Sequence, residues 1–273
     1  MADATLTLRL GEALANIRQQ KPLVHQITNF VVMNDTANVT LQIGALPVMA
    51  HAKEEVVEMV SLAGALVLNP GTLEPDWVEA MVLAGKEAQR LGTPVVLDPV
   101  GAGATTYRTE SNLRILAAVK PTVVRGNPGE IAALVGAGGE VRGVESVGDL
   151  EDPLQVARTA AQTWSTTVAM TGARDWVTDG EQAIAVDNGH QWLTTLTGTG
   201  CTSTTMVGAF AAVEPDAVVA ATAALTCLGY AAELAAKQAR GPGSFKVDLY
   251  DTLYNMTAEQ LSAGARIEVL DAG

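Results

Sequence analysis

A cysteine stands in a threonine- and glycine-rich loop, TLTGTGC, at residues 195–201. The two glycines carry no Cβ, and a helix is predicted to begin there, so backbone N–H groups can converge on one point. Converging amides predict an anion hole for the charge on a transferred phosphoryl group. The residues that would form this hole are Gly198, Thr199, Gly200 and Cys201. A plain tight turn before a helix would give the same pattern.

Cys201 occupies the first turn of the predicted helix. The helix macrodipole lowers the pKa of a thiol there below about 8.5, which predicts a proton acceptor near neutral pH. The alternative is a small buried hydrophobe. The glycine loop favours the first interpretation, so Cys201 is our candidate catalytic residue. Cys227 has no such context and is assigned to the core.

Two acidic residues, Asp98 in LDPVGAG and Glu130 in RGNPGE, each follow a predicted strand. Carboxylates on neighbouring strand ends can hold Mg²⁺ together with substrate phosphates. Either residue can equally be a helix cap. Arg125 ends the strand before Asn127, and its guanidinium could clamp phosphate oxygens, so both are assigned to ATP.

Four further side chains are weaker candidates. Thr171 follows the strand TTVAM and points toward a nucleotide, unless it only closes the strand with a turn. His25 and Asn29 lie in HQITN, where a lone histidine near a strand is more often a core residue. Met49 could line an apolar substrate pocket or simply fill the core.

The elements that must position these residues are short apolar runs: LVHQIT, PVMA, ALVLNPG, PVVLDPVG, TVVRGN and TTVAMTG. Such runs are typical of strands that are buried on both faces of a parallel sheet. Predicted helices alternate with them, at 54–64, 75–91, 128–136, 153–164, 200–213 and 217–240. This alternation predicts an α/β fold, a three-layer α/β/α sandwich with a mainly parallel central sheet. Polar turns at the carboxyl ends of its strands would form the site.

The pattern changes after residue 172. WVTDG, AIAVDNG and HQWLTT predict a small antiparallel meander with Asp-Gly and Asn-Gly turns. No linker or repeat interrupts the chain, which predicts a single domain over residues 1–273. Neither GxxxxGK[ST] nor GxGxxG occurs, so a Walker-type phosphate loop is excluded.

The composition and charge of the chain argue against two classes of partner. The 273 residues carry a formal net charge of -13, which argues against nucleic acid or an anionic membrane as a partner. The apolar stretch 217–232 is shorter than the roughly 20 residues that span a bilayer, and we interpret it as a buried helix. Two cysteines without paired spacing and no signal-like N-terminus predict a cytoplasmic protein.

In chain order, HQITN, PVMAHAKEEV, NPGT, LDPVGAG, RGNPGEI, TG and LTGTGC resemble the hydroxyethylthiazole kinase family of the ribokinase-like superfamily. The resemblance runs over residues 22–254. Most ribokinase-like enzymes carry GxGD with aspartate as the base, whereas this family carries cysteine at that place. The implied reaction is ATP-dependent phosphorylation of hydroxyethylthiazole for thiamine synthesis and salvage.

The resemblance also implies roles for individual residues. It places Cys201 as the base, with the anion hole at residues 198–201. It implies ATP contacts for Arg125 and Thr171, a Mg²⁺–phosphate region at Asp98 and Glu130, and thiazole contacts for Met49 and Gly198, with His25, Asn29 and Gly71 near the substrate pocket. The segment 136–152 would form a surface excursion over the nucleotide side. A homotrimer with active sites at subunit interfaces is implied as well.

Three alternatives remain. A pyridoxal or hydroxymethylpyrimidine kinase, or a nicotinamide-hydrate dehydratase, would normally carry aspartate at position 201. A cysteine hydrolase or acyltransferase would need a histidine within hydrogen-bond reach of Cys201, and His25, His51 and His190 offer no such signature. A non-catalytic binding protein would have little use for the whole ATP and Mg²⁺ set.

Overall fold

The computed structural model describes residues 2–137 and 152–270, and within them nine strands form one sheet. The strand order is β2-β1-β3-β4-β5-β6-β7-β8-β9. Neighbours from β2 to β6 are parallel, and β7, β8 and β9 add antiparallel to one side. The strands are β1 (Leu23–Ile27), β2 (Leu46–Val48), β3 (Ala65–Leu68), β4 (Val95–Leu97), β5 (Val123–Gly126), β6 (Thr167–Met170), β7 (Asp175–Thr178), β8 (Ala183–Val186) and β9 (Ile267–Leu270).

Helices cover both faces of the sheet. They are α1 (Ala2–Gln20), α2 (Met33–Gln42), α3 (Val56–Leu62), α4 (Pro75–Leu91), α5 (Thr106–Val119), α6 (Pro128–Ala137), α7 (Pro153–Trp164), α8 (Thr199–Ala211), α9 (Ala217–Ala236), α10 (Pro242–Asn255) and α11 (Ala258–Gly264). One apolar cluster joins the sheet to α1, α2 and α8–α11, and a second joins it to α3–α7. The predicted three-layer α/β/α sandwich is therefore confirmed.

The alternation of side chains along β3 shows why its sequence is apolar throughout. Val67 packs in the first cluster with Phe210 of α8, whereas Leu66 and Leu68 pack in the second. All four residues of β3 are buried, as are those of β5 and β6. A strand that is covered on both faces has no solvent side on which polar residues would be favoured. The six strands predicted from apolar runs are all confirmed.

The predicted antiparallel meander is only partly confirmed. β7 and β8 form the expected hairpin, but HQWLTT does not pair with them: Gln191–Thr195 form a 3-10 helix. The His190 side chain accepts a hydrogen bond from Trp192 N at 3.2 Å, which caps this short helix. The place beside β8 is taken instead by β9, from far along the chain.

The apolar helix α9 lies in the core, as predicted for its sequence. It is the one described helix that is long and apolar enough to cross a membrane, and 78% of its most apolar window is buried inside the protein. Its neighbours include α8 and α10. The surface excursion predicted for 136–152 falls mainly on residues 138–151, outside the described part of the chain.

Candidate active site

The carboxyl ends of the parallel strands bring five polar side chains to one edge of the sheet. Each follows or ends its strand: Asn29 after β1, Asn69 after β3, Asp98 after β4, Arg125 in β5 and Thr171 after β6. The N-terminus of α8 meets the same edge, because Thr204 Oγ1 lies 2.8 Å from Asp98 Oδ2. These contacts bring the strand ends and the helix that follows the TGTGC loop to one edge, and that this edge is the site stays a prediction.

A buried chain of carboxamides connects the thiol with Asp98. Asn29 Nδ2 donates to Asn69 Oδ1 at 2.8 Å and lies 3.6 Å from Cys201 Sγ. Asn69 Nδ2 in turn donates to Asp98 Oδ2 at 3.0 Å. Buried polar groups of this kind fix one geometry, because any rotation leaves a donor or acceptor without a partner.

The thiol of Cys201 behaves differently from the prediction. Burial raises its pKa to about 11, and the negative charge of Asp98 acts in the same direction. The prediction that the helix macrodipole lowers this pKa is wrong, because desolvation and a neighbouring carboxylate outweigh the dipole. Cys201 is therefore a neutral thiol at neutral pH, and the assignment of a thiolate base loses its support from the residues.

Asp98 is the buried ionisable group of this edge. Burial raises its pKa to about 6, the Arg125 charge opposes that shift, and the Glu130 charge adds to it. The carboxyl group is 1% exposed and remains mostly ionised at pH 7. A buried negative charge therefore lies between the carboxamide chain and Arg125.

The guanidinium of Arg125 contacts Thr171 and Asp98, and its Nε makes no hydrogen bond with a described residue. Its Nη2 donates to Thr171 Oγ1, and its Nη1 lies 3.9 Å from Asp98 Oδ1. Its Nε is buried and has no hydrogen-bond partner among the described residues. The guanidinium lies against the backbone of Gly200, where an added Cβ would come within 2.7 Å of Nη1. An oxyanion is a suitable partner for the unused donor.

The start of α8 has the geometry expected of an anion hole. Gly198 caps the helix with φ of +86°, a left-handed conformation that favours glycine, and a Cβ there would lie 2.5 Å from Val32 Cγ1. The first amide that bonds back into the helix is that of Thr202, to Gly198 O at 2.8 Å. The amides of residues 199–201 therefore have no intrahelical partner, and Gly200 among them lies against the guanidinium of Arg125.

A cavity of about 600 Å³ opens beside this group. Its polar lining includes Arg125, Thr171, Gly172 and Gly200, and its apolar lining includes Leu193, Leu225 and Leu228. A phosphate-binding end together with apolar walls for a base is the arrangement a nucleotide needs. The cavity therefore joins polar and apolar lining beside the N-terminus of α8.

Glu130 and Asn127 cap the first turn of α6. Glu130 Oε2 accepts from Asn127 N, and Asn127 Oδ1 accepts from Glu130 N, both at 2.9 Å. Glu130 Oε1 also accepts from Gly101 N at 2.9 Å. The cap interpretation thus holds for Glu130, while its charge still acts on Asp98. Among the described residues, no three His, Cys, Asp or Glu side chains form a metal-binding group.

The residues predicted near the substrate divide into two sets. Gly71 lies against Asn29, because a Cβ at Gly71 would be 2.7 Å from Asn29 Nδ2. His25 is fully buried, and its Nε2 lies 2.6 Å from Ala50 O, so it holds the segment after β2 that contains Met49. Burial lowers the pKa of His25, which is a core residue here. Met49 itself is partly exposed.

Sequence reasoning missed Asn69 and Thr204. Asn69 belongs to NPG, which we noted only as a turn after a strand. The signal that could have found it is position: like Asp98, it directly follows a buried strand. Thr204 lies one helical turn beyond Gly200 on α8, and only the packing of α8 on the sheet reveals its contact with Asp98.

Comparison with known proteins agrees with this geometry. A model of the Hydroxyethylthiazole kinase family matches residues 14–259. The hydroxyethylthiazole kinase of Roseiflexus castenholzii is 63% identical over 267 residues, which cover 98% of this chain and 99% of that protein. A solved structure of hydroxyethylthiazole kinase protein from Pyrococcus horikoshii OT3 is 48% identical, with a TM-score of 0.89, and the match covers 96% of this chain and 99% of that one.

A more distant neighbour shares the fold. A ribokinase-like superfamily protein from Enterococcus faecalis V583 superposes with a TM-score of 0.66 at 12% identity, over 88% of this chain and 89% of that one. At that identity the likeness shows the fold alone. Together with the family model and the close relatives, it means that this chain belongs to the hydroxyethylthiazole kinase family, within the ribokinase-like fold.

Proposed function

We propose the following roles for the residues at this edge when the chain phosphorylates hydroxyethylthiazole with ATP in thiamine synthesis. One observation carries the proposal: the unused Nε of Arg125 and the free amides at the start of α8 lie together beside the cavity. Both are donors for an oxyanion, and phosphoryl transfer depends mainly on positioning and on charge stabilisation.

The nucleotide phosphates bind at Arg125 and Thr171 in this proposal. The guanidinium contacts phosphate oxygens, and the Thr171 hydroxyl fixes its orientation through the contact with Nη2. The base lies against the apolar lining of the cavity. Asn127 contributes by capping α6 beside this site, with its side-chain oxygen already used by Glu130 N.

The acceptor hydroxyl binds next to Cys201. Its oxygen attacks the γ-phosphorus, the bond to the β,γ-bridging oxygen breaks, and ADP leaves, while the amides of residues 199–201 stabilise the charge on the phosphoryl oxygens. The transition state is loose, so the hydroxyl proton can leave late, to a phosphoryl oxygen. A neutral thiol is sufficient to orient the hydroxyl. Cys201 in this account positions the acceptor rather than acting as a thiolate base.

Asp98 and Glu130 fit a magnesium ion that keeps most of its water. Asp98 Oδ2 already accepts from Asn69 and Thr204, and both oxygens of Glu130 accept from backbone amides. Two carboxylates cannot enclose the ion, but Mg²⁺ commonly takes one or two carboxylates, several waters and the substrate phosphates. Bound there, the ion would neutralise phosphate charge. Asp98 and Glu130 would hold its waters in place.

The thiazole ring binds between Met49 and the loop at Gly198, with Asn29 and Gly71 beside it. Asn29 reaches Cys201 and Gly71 in the structure. His25 supports the pocket from the core by holding the backbone at Ala50. A partly exposed methionine and an uncharged thiol are suitable neighbours for an apolar heteroaromatic ring.

A homotrimer that completes each site at an interface is part of the proposal. The edge strand β2 and its surroundings expose large apolar side chains: Phe30, Val31, Leu41, Leu46, Val57 and Leu62. Exposed apolar residues on the elements around an edge strand are available for contact with a second chain. Two of them directly follow Asn29, so a second copy of the chain seated there would lie close to the acceptor pocket. The two cysteines are free thiols, which supports a cytoplasmic location.

A cysteine hydrolase finds no support in the surroundings of Cys201. The three histidines are engaged elsewhere in the described structure: His25 with Ala50 O, His51 stacked on Trp77 and His190 with Trp192 N. A nucleophilic cysteine needs a base within hydrogen-bond reach.

The decisive experiment incubates the purified chain with Mg-ATP and hydroxyethylthiazole and identifies the product by mass. We expect the thiazole phosphate and equimolar ADP. Pyridoxal and hydroxymethylpyrimidine in parallel reactions provide the controls. Preferential phosphorylation of either would contradict the proposed pocket, and ADP release without a phosphorylated product would contradict the proposed acceptor site.

A further inference from the structure

Two carboxylates line the nucleotide cavity, on the wall formed by β7 and the segment after β8: Asp175 and Asp187. Asp187 is paired, since its Oδ1 lies 3.1 Å from Arg174 Nε and its Oδ2 accepts from Arg174 Nη2 at 3.2 Å. Asp175 has no cationic side chain of the described residues in hydrogen-bond contact. Asp187 therefore has both oxygens in contact with Arg174, whereas Asp175 is not paired in this way.

Asp175 has one oxygen engaged and one free. Its Oδ1 accepts from Gly172 N at 2.9 Å, whereas its Oδ2 accepts no hydrogen bond from any described residue. Burial raises the pKa of Asp175 to about 6, so the group is still mostly ionised at pH 7. Asp175 lines the cavity, and a carboxylate oxygen without a protein donor is available to accept a hydrogen bond from a ligand there.

The position of Asp175 limits which part of a nucleotide it meets. Gly172 directly follows Thr171, the partner of Arg125, and the Arg125 charge reaches far enough to lower the pKa of Asp175. The carboxylate therefore lies near the phosphate-binding end of the cavity. Phosphates would be repelled by it, and the ribose is the part of ATP next to the phosphates, with hydroxyl donors.

We propose that Asp175 Oδ2 accepts a hydrogen bond from a ribose hydroxyl of ATP and thereby makes the enzyme prefer ribonucleotides over deoxyribonucleotides. The inference rests on the proposed placement of ATP phosphates at Arg125. It assigns Asp175, a residue that lines the cavity, to nucleotide specificity, with the Gly172 amide fixing the carboxylate through Oδ1.

The test compares ATP, 2′-deoxy-ATP and 3′-deoxy-ATP in the wild type, Asp175→Asn and Asp187→Asn. Asparagine keeps the Gly172 contact through its oxygen, and its amide can donate to a ribose hydroxyl only in a neutral hydrogen bond. A charge-assisted hydrogen bond corresponds to roughly tenfold or more in affinity. We expect the wild type to bind one deoxy analogue about tenfold more weakly than ATP. Asp175→Asn should raise the KM for ATP and reduce this preference.

The matched control removes the same charge from the same wall. Asp187→Asn should keep the preference for ATP, because Asp187 is already paired with Arg174. If Asp175→Asn lowers the KM for all three nucleotides alike, Asp175 only repels phosphate and the inference is wrong. If it changes the preference between ATP and ITP instead, Asp175 contacts the base, which also overturns the inference.

Binding measurements separate this inference from the proposed function. Calorimetric titration with ADP, 2′-deoxy-ADP and 3′-deoxy-ADP needs no turnover. The affinities of the wild type alone test the preference for a ribose hydroxyl, so the inference can be tested even if Asp175→Asn does not fold. Equal affinities for the three nucleotides would overturn the role of Asp175 even in an active kinase. Selective ADP binding without phosphorylation of hydroxyethylthiazole would support Asp175 and contradict the proposed acceptor site.

Discussion

Asn69 sits where the acceptor side and the phosphate side of the site meet. Its Oδ1 accepts hydrogen bonds from Asn29 Nδ2 and from the backbone amide of Gly71, and its Nδ2 donates one to Asp98 Oδ2. An asparagine can do both, because one amide carries an acceptor and two donors. The residue therefore fixes Asn29, which contacts the thiol, relative to the buried carboxylate.

Replacing Asn69 by Ala should remove the hydrogen bonds that join the acceptor side of the site to its phosphate side. We expect kcat to fall about tenfold or more, since Asn29 and Asp98 lose their shared partner, with the KM for ATP nearly unchanged because Asn69 does not line the nucleotide cavity. Steady-state kinetics with both substrates would measure this. Asn38→Ala is the control, as Asn38 is partly buried on α2 and, among the described residues, its side chain bonds only to Asn34 of the same helix. A kcat within twofold of the wild type would contradict the role of Asn69.

The buried charge of Asp98 should appear in the pH dependence of stability. Its folded pKa, about 6, lies above the ordinary value of 3.8, so the folded protein holds the proton more tightly than the unfolded chain. Ionisation of Asp98 therefore costs stability as the pH rises through this range, and the cost stays constant above it.

Asp98→Asn removes that cost. In the absence of magnesium and nucleotide, we expect the free energy of unfolding of the variant, relative to the wild type, to increase by about 2 kcal/mol between about pH 4.5 and about pH 7.5. Urea unfolding at both pH values would measure it. A difference that does not change with pH would mean that Asp98 is not a desolvated acid in the folded protein.

At the scale of elements, the first turn of α8 lies close to the end of β5, because Gly200 packs against the side chain of Arg125. Gly200 is helical, and its missing side chain makes room for the guanidinium of Arg125 on β5. Alanine is a good helix former, so the helix itself would accept it. The consequence of a substitution there should therefore be confined to the position of Arg125.

Gly200→Ala tests this packing. We expect kcat/KM for ATP to fall about tenfold or more as the guanidinium is displaced, with little change in the thermal midpoint. Gly136→Ala is the matched control, because Gly136 lies in α6 with no atom within 4 Å of the added Cβ. Unchanged ATP kinetics in Gly200→Ala would show that Arg125 moves freely, and would weaken its role as a fixed phosphate clamp.

Much of this element-level arrangement could be predicted from local sequence. Short, continuously apolar segments identified β1–β6, and Pro75 and Pro153 marked the first turns of α4 and α7, which have the bounds we predicted. HQWLTT could not be assigned correctly, because the partner that replaces it, β9, lies far along the chain. The pKa of Cys201 could not be predicted either, since it depends on burial of the thiol and on Asp98, which follows β4.

At the scale of the whole molecule, the sheet has two unequal edges. β2 ends the sheet beside the acceptor pocket and is surrounded by exposed apolar side chains, whereas β9 ends it beyond the nucleotide wall. The trimer and the single domain over residues 1–273 stay predictions. The first of them has a direct test at the β2 edge.

Leu46→Lys places a charge on β2. We expect the wild type to sediment with the mass of three chains and the variant as a single chain, with a raised KM for hydroxyethylthiazole and a nearly unchanged KM for ATP, because the interface completes the acceptor side only. Sedimentation equilibrium and kinetics would measure this. Val269→Lys on β9 is the control, an exposed residue on the opposite edge strand. A wild type that sediments as one chain would exclude the trimer.

The pairing of β8 with β9 also affects the order in which the protein matures. Four α-helices are synthesised between the two strands. A nascent chain that has already formed the β7–β8 hairpin therefore lacks β9, the strand that pairs with β8, until those helices have been made. During that interval the AIAV strand presents an unpaired apolar edge, a surface on which newly made chains can associate wrongly. The wall that carries Asp187 is thus among the last parts of the sheet to be secured, and chaperone protection would matter most at that stage of synthesis.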